Sequence, residues 1–445
     1  MFTKIRMQNF RSFRDLTFDL CEKSDTPKHI AVIYGENGSG KSNLASVFVL
    51  LNELMQTMDV RDQYEELLQQ KSVFSDENLE QLMRQRLLSG MRDIRAIIQD
   101  YRMVDNAEPI VVDYEFMING YPGSYSITLG EQEIIHEHLE YRLNRRRGVY
   151  FDCSREAITI NKSIVTDRDL FADIKQAAKK YWGKHSLLAI IQHELDDKSE
   201  AYGQGNITGN FEDVLYELRL VSCYIGYGTR DWESLFSPFQ ILNKPISGKM
   251  SVDNEEQLAL AEQIFSSFFS AINSNVKGLS YRKTYTDRYI DYTLQMIKYV
   301  AGEYRTIDFA RESKGTYQLL MVLCYLLVAC LGGIVILDEA DSAIHDLLFK
   351  KIIQEIAPEI KGQIIFTTHN TMLMEADLNR NSIYVLLEEE KGEKLIRCIS
   401  DHVNRTYITN NLRNKYLHGE YGGLPDVSRI DFANLILSLA EKLMQ

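Results

Sequence analysis

The segment Gly35-Glu-Asn-Gly-Ser-Gly-Lys41-Ser42 constrains this chain more than any other, because it matches G-x-x-x-x-G-K-[ST] between a strand-like run, HIAVIY, and a helical pattern. Glycines at 35, 38 and 40 let the backbone wrap so that its N–H groups point at phosphate oxygens. The helix beginning near Lys41 adds its positive end. Lys41 offers a point charge to the β and γ phosphates, and Ser42 a hydroxyl to Mg²⁺. Asn37, Ser39 and Asn43 belong to the same binding segment, so the expected ligands are ATP and Mg²⁺.

The rest of the chain has to supply a sheet for that loop. Its 445 residues suggest two or three domains, and a hydrophobic share of 45% with 25% charged residues fits a packed globular protein. The net charge of −13 excludes a uniformly basic coat, so nucleic acid could be held only through local patches such as Arg142, Arg145, Arg146 and Arg147, or Lys175, Lys179, Lys180 and Lys184. Such charge runs are more often solvated faces. Six cysteines without CxxC spacing indicate free thiols rather than zinc or a disulfide framework. The N-terminus lacks the apolar core of a signal peptide, and the apolar stretch Leu319 to Ile336 reads as a helix ending at Gly332–Gly333 and then a strand. The expected location is therefore cytoplasmic, with no membrane contact.

Residues 1 to 34 alternate as strands, and a helical pattern, taken as a hairpin, runs from Leu44 to about Tyr101. IVVDYEF, YSITL and REAITI, separated by glycine turns, predict an antiparallel sheet between Pro109 and Ile160. Residues 167 to 275 read as mostly helical, and RYIDYTLQMIKYV with EYRTIDF as a hairpin. Helix and strand alternate from about residue 314, so the strands before residue 35 and after 333 are expected in one parallel sheet. The division that follows is an ATPase half over 1–50, a helical and β insertion over 51–300, and a second ATPase half over 301–445. No heptad run is long enough for a coiled-coil arm.

Gly333-Ile-Val-Ile-Leu-Asp338-Glu339 has the form of a buried parallel strand ending in carboxylates, a Walker B strand. Asp338 would hold the Mg²⁺ shell, and Glu339 would orient and deprotonate the attacking water. Ser313, Gly315 and Thr316 open a helix about twenty residues upstream, an arrangement suited to anions and equally to a plain N-cap. Thr367-Thr368-His369-Asn370 puts a histidine at a strand end, and Asp341-Ser-Ala-Ile-His345 follows the carboxylate pair.

Together with IRMQNFRSFRDL, DEADSAIHD and NLRNKYLHGEYGGLP, these motifs resemble AAA-family proteins with an ABC/SMC-like head from prokaryotic antiphage and abortive-infection systems, related to OLD-family and RecF-type ATPases. The resemblance covers roughly the first 50 residues and most of 305 to 425. It implies an α/β P-loop head with an antiparallel β lobe, a helical insertion and two-fold composite sites. In these, Lys41, Ser42, Asp338, Glu339 and the switch residue His369 of one chain meet the signature residues Ser313, Gly315 and Thr316 of another, while the Asp341–His345 loop crosses between them. The catalytic set would be Lys41, Glu339 and His369. A Q-loop is implied around Asn106 to Val112, where no glutamine stands.

Only about seventy-five residues follow His369, too few for the Toprim nuclease domain of OLD-family proteins. The effector, a nuclease or toxin, is therefore expected in a separate partner, with this chain a homodimer or higher oligomer. The rival readings are a DNA-repair or recombination ATPase, marked by ATP-dependent DNA binding, and an ATP-binding scaffold with negligible turnover. Two Arg-x4-His spacings, Arg397 to His402 and Arg413 to His418, have no context that would make them nuclease motifs.

Overall fold

The computed structural model describes residues 1–22, 26–62, 92–198, 205–227, 230–389, 392–402, 411–424, 433, 436–437 and 440. Its central sheet runs in the order Arg230–Ser234, Val221–Tyr227, Ile334–Leu337, Gln363–Thr367, Ile30–Gly35, Ile383–Glu388 and Lys394–Cys398. The five inner strands are parallel and the two edge hairpins antiparallel. Ile30–Gly35, Ile334–Leu337 and Gln363–Thr367 are buried at every position, as a parallel sheet covered on both faces requires. The pleat divides their side chains between two cores. Ala31 and Ile33 pack with Leu44, Phe48 and Leu51 of the helix Lys41–Met55. Val32 and Tyr34 pack with Leu320 and Tyr325 of the helix Lys314–Cys330, and with Phe349 of the helix Asp346–Ile356.

A second, wholly antiparallel sheet of seven strands forms the lobe, in the order Phe13–Asp19, Phe2–Phe10, Ile110–Ile118, Tyr121–Leu129, Ile134–Leu143, Arg146–Ser154 and Ile158–Ile160. This corrects the expectation that all strands before residue 35 join the parallel sheet: only Ile30–Gly35 does. Phe13–Asp19 buries Phe13, Leu16 and Phe18 and exposes what lies between, and such one-sided strands belong in an antiparallel sheet. Buried Gln363 ties the two sheets together, accepting from the Phe2 amide at 2.9 Å and donating to the Phe2 and Lys28 carbonyls at 2.9 and 2.8 Å.

The segment 167–275 departs from its helical reading. Helices Arg168–Tyr181, Leu187–Asp196, Gly209–Arg219 and Glu255–Ile272 are present, but Val221–Tyr227 is a central-sheet strand beside Ile334–Leu337. A short, mostly apolar run such as VSCYIGY has no periodicity that separates a buried strand from a helix segment, and pairing decides it. A third sheet, of Ser247–Ser251, Val276–Tyr285, Tyr289–Val300 and Glu303–Asp308, contains the expected tyrosine-rich hairpin. Tyr281 and Tyr292 pack edge to face at 5.5 Å within it, while Tyr299 and Tyr304 are exposed. Half of the helical hairpin expected between Leu44 and Tyr101, residues 63–91, lies outside the described residues, with the helices Lys41–Met55 and Ile94–Tyr101 on either side. Among the described residues the longest helix has 18 residues, and no helix is long and apolar enough to cross a membrane.

Fully buried Glu137 joins the lobe to the helical segment. It accepts from Tyr125 Oη at 3.0 Å, Trp182 Nε1 at 2.9 Å and the Leu187 amide at 2.7 Å, the last at the start of the helix Leu187–Asp196. Burial outweighs these donors and pushes its pKa from 4.5 up to about 7. A carboxyl whose folded pKa is raised contributes stability below its unfolded pKa, and that stability is lost as pH rises through the folded value. Thermal unfolding followed from pH 5 to 8 is therefore expected to show stability falling by about 3 kcal/mol from this group. In Glu137→Gln that pH dependence should flatten, and an unchanged profile would remove the assignment.

Candidate phosphate-binding site

The parallel sheet delivers four sequence motifs to the same ends of adjacent strands. Ile30–Gly35 opens into the loop, in which Gly38 and Gly40 adopt φ of 81° and 110°, conformations open to glycine at little cost. A Cβ on Gly40 would also come within 3.1 Å of Ser12 Oγ and 3.2 Å of the Phe13 ring, so the lobe's first hairpin seats directly on the loop. Lys41 is buried and donates from Nζ to the Gly35 and Glu36 carbonyls at 2.8 and 2.9 Å. Ser39 Oγ is buried and, among the described residues, has no hydrogen-bond partner, a polar atom left for a ligand inside the loop.

Asp338 ends the strand Ile334–Leu337 and is buried; burial raises its carboxyl pKa, while hydrogen bonds from Ser42 and Thr367 pull it down. The Thr367 bond measures 2.5 Å, and Thr367 Oγ1 also accepts from the Glu339 amide at 2.8 Å. One hydroxyl thereby fixes both members of the carboxylate pair. Glu339 itself is exposed and holds φ at 47°, an uncommon conformation for a side-chain-bearing residue. Burial lowers the Lys41 pKa, and Asp338, Glu339 and Glu36 act against it. Partial desolvation and then Lys41 lower that of His369, with Asp341, Glu339 and Asp338 opposing. His369 thus lies within the fields of Lys41, Asp338, Glu339 and Asp341, and Lys41 within those of Asp338 and Glu339, although these groups come from three separate stretches of chain.

Ser313, Gly315 and Thr316 are placed differently. Ser313 Oγ caps the helix Lys314–Cys330 by accepting from the Thr316 amide at 3.2 Å, and meets Thr316 Oγ1 at 2.9 Å. Ser313 is exposed and Thr316 half-buried, and among the described residues neither hydrogen-bonds to the phosphate loop. A Cβ on Gly315 would stand 2.5 Å from the Ala343 carbonyl, so this helix start packs closely on the Asp341–His345 loop. His345 Nδ1 caps the next helix by accepting from the Leu347 amide at 3.3 Å.

Several contributing residues were not evident from motif matching. Arg11 Nη1 donates to Asn43 Oδ1 at 3.3 Å, and Asn43 Nδ2 to Ser12 Oγ at 2.8 Å, which joins the lobe hairpin to the first turn of the loop's helix. Left-handed φ values at Asn9 and Arg11 shape that hairpin, and N-F-R-S is its local signal. Asn106, in the stretch where the resemblance implies a Q-loop, donates to Asn9 Oδ1 at 2.9 Å and leads into the lobe. The strand flanking Ile334–Leu337 is instead Val221–Tyr227, whose Tyr224 carbonyl accepts the Asp338 amide at 2.8 Å. Of the basic patches, Arg142 lies 3.9 Å over the Tyr121 ring and Arg147 pairs with Glu140 at 2.9 Å, while Lys175, Lys179, Lys180 and Lys184 are exposed.

This sheet, loop and carboxylate pair define a P-loop ATPase head of the ABC/SMC-like AAA class. The chain belongs to the family described as "AAA domain, putative AbiEii toxin, Type IV TA system", whose profile matches residues 30–375, and a second profile, "AAA domain", matches residues 4–51. Among solved structures it is similar to the SMC head domain from Thermotoga maritima, at 16% identity and a TM-score of 0.38, over 89% of this chain and 98% of that one. It is also similar to the Smc head domain with an extended coiled coil bound to the C-terminal domain of ScpA from Pyrococcus furiosus, at 14% identity and a TM-score of 0.40, over 89% and 95%. No curated protein matches the chain.

Proposed function

We propose that the protein is an ATP-binding and ATP-hydrolysing switch that works as a dimer, with two composite sites. The observation that carries this reading is the gathering of Lys41, Asp338, Glu339 and His369 at one sheet end, while Ser313 stands exposed and, among the described residues, neither it nor Thr316 hydrogen-bonds to the phosphate loop. Within one site, the loop amides and Lys41 bind the phosphates, and Ser42 with Asp338 forms a hydroxyl–carboxylate pair of the kind that holds Mg²⁺. Bound Mg²⁺ neutralises charge on the β and γ phosphates. Glu339 takes the proton of the attacking water, and His369 contacts the γ phosphate. A second chain contributes Ser313, Gly315 and Thr316, so that nucleotide joins the protomers and hydrolysis releases them.

The biological part of the reading is supported by the family description, which names a putative AbiEii toxin and a type IV TA system. We assign the chain to phage defence, as the regulatory component that controls a separate nuclease or toxin. Sedimentation with Mg²⁺ and a non-hydrolysable ATP analogue should convert the chain from monomer to dimer, with Lys41→Ala remaining monomeric. Hydrolysis per chain should rise with protein concentration until dimerisation saturates. A fully active monomer would exclude the composite site.

A further inference from the structure

Beside the phosphate loop, on the face away from the carboxylates, lies a cavity of about 460 Å³, within the ordinary size range of small-ligand sites. It is lined by the loop itself, Glu36 to Ser39, and by Gly422, Gly423 and Leu424 from the C-terminal segment. That segment is firmly seated. Tyr416 Oη donates to the Gly423 carbonyl at 2.9 Å, and the Tyr416 ring packs 5.6 Å from that of Tyr34. Gly423 has φ of 73°, and a Cβ there would fall 2.5 Å from Val385 Cγ1 and 3.6 Å from the Gly35 Cα, so glycine is needed for the chain to lie against the base of the loop.

Resting on the reading of the loop as an ATP phosphate site, we propose that this cavity receives the nucleoside half of the nucleotide and that the C-terminal segment is therefore part of the binding site. Sheet order sets the direction. The loop's strand, Ile30–Gly35, lies between Gln363–Thr367, which leads to His369 and onward to the Asp338–Glu339 strand, and Ile383–Glu388. The γ phosphate belongs with Lys41, Asp338 and Glu339 on the first side, so the base and ribose leave toward the second, where the cavity is.

Its chemistry suits a nucleoside better than a phosphate. Leu387, Leu395 and Leu424 supply apolar surface for a base, and Gly38 and Gly423 line the cavity without side chains. Glu36, Glu388 and Glu389 stand at its rim against Arg397. Carboxylates repel phosphate and accept from ribose hydroxyls and exocyclic amines. Lys394 donates to the Gly38 carbonyl at 3.4 Å and pairs with Glu388, which links the rim to the loop.

The test compares Mg²⁺-ATP with Mg²⁺-bound inorganic triphosphate, both titrated calorimetrically against wild type, Leu424→Trp and Lys41→Ala. Leu424→Trp, which fills the cavity from a partly exposed position, should weaken ATP by about tenfold or more while leaving triphosphate within about twofold. Unchanged ATP affinity overturns the proposal. Parallel loss of both ligands also overturns it, because the tail would then act only through the loop. A wild-type protein that binds ATP no more tightly than triphosphate overturns the nucleoside subsite alone. Binding of neither ligand by wild type, with Lys41→Ala indistinguishable from it, overturns the phosphate-site reading itself.

Discussion

Glu339→Gln is expected to lower steady-state ATP hydrolysis by about 10²- to 10⁴-fold, the range over which a positioned general base acts, while ATP binding persists. The substitution removes the proton acceptor and keeps the side chain's length. The backbone should hold, since the Glu339 amide is anchored on Thr367 Oγ1 and Asp338 keeps its own bond to the same hydroxyl. Lys41→Ala differs in kind, because it removes the cation buried at the base of the loop, and binding should fail together with hydrolysis. Phosphate release and calorimetric ATP affinity, measured on both variants, separate the two effects. A hydrolysis rate in Glu339→Gln equal to wild type would remove the catalytic role and favour a scaffold that binds nucleotide without turnover.

Much of this site can be read from the sequence because its backbone demands are specific. Glycines at 35, 38 and 40 before Lys-Ser have few other uses, and a continuous apolar run such as Ile334–Leu337 ending in two carboxylates needs a sheet covered on both faces. The N-terminal strands were also legible as strands, but their partners were not. In Phe13–Asp19 the alternation itself carries the answer, since exposed positions between Phe13, Leu16 and Phe18 are incompatible with the fully buried central sheet. Glu137 was readable in the same way: it falls in phase with Leu139 and Tyr141 on the buried face of its strand, a polar residue at a core position. Val221–Tyr227 and the seat of Gly422–Gly423 were beyond pattern, because each depends on which distant segment it touches rather than on its own composition. Thr367 is intermediate, a strand-end hydroxyl whose importance appears only once Asp338 and Glu339 lie beside it.

Mixing two inactive chains is expected to restore hydrolysis if the sites are shared between protomers. Ser313→Asp places a carboxylate where the partner's γ phosphate would sit, and aspartate remains a good N-cap, so the helix Lys314–Cys330 should keep its start. Each Ser313→Asp chain retains an intact Lys41, Asp338 and Glu339; each Lys41→Ala chain retains an intact Ser313. In a mixed dimer one site combines both defects and the other combines neither. Each mixed dimer carries one sound site of two, so activity should rise well above a background near zero and stay at or below about half of wild type. Phosphate release from equimolar mixtures, against each variant alone at the same total concentration, reads this directly. If the mixture stays inactive while both variants melt like wild type, the Ser313–Thr316 helix start is no more than a cap. Substantial activity of Ser313→Asp on its own would place the whole reaction within a single chain.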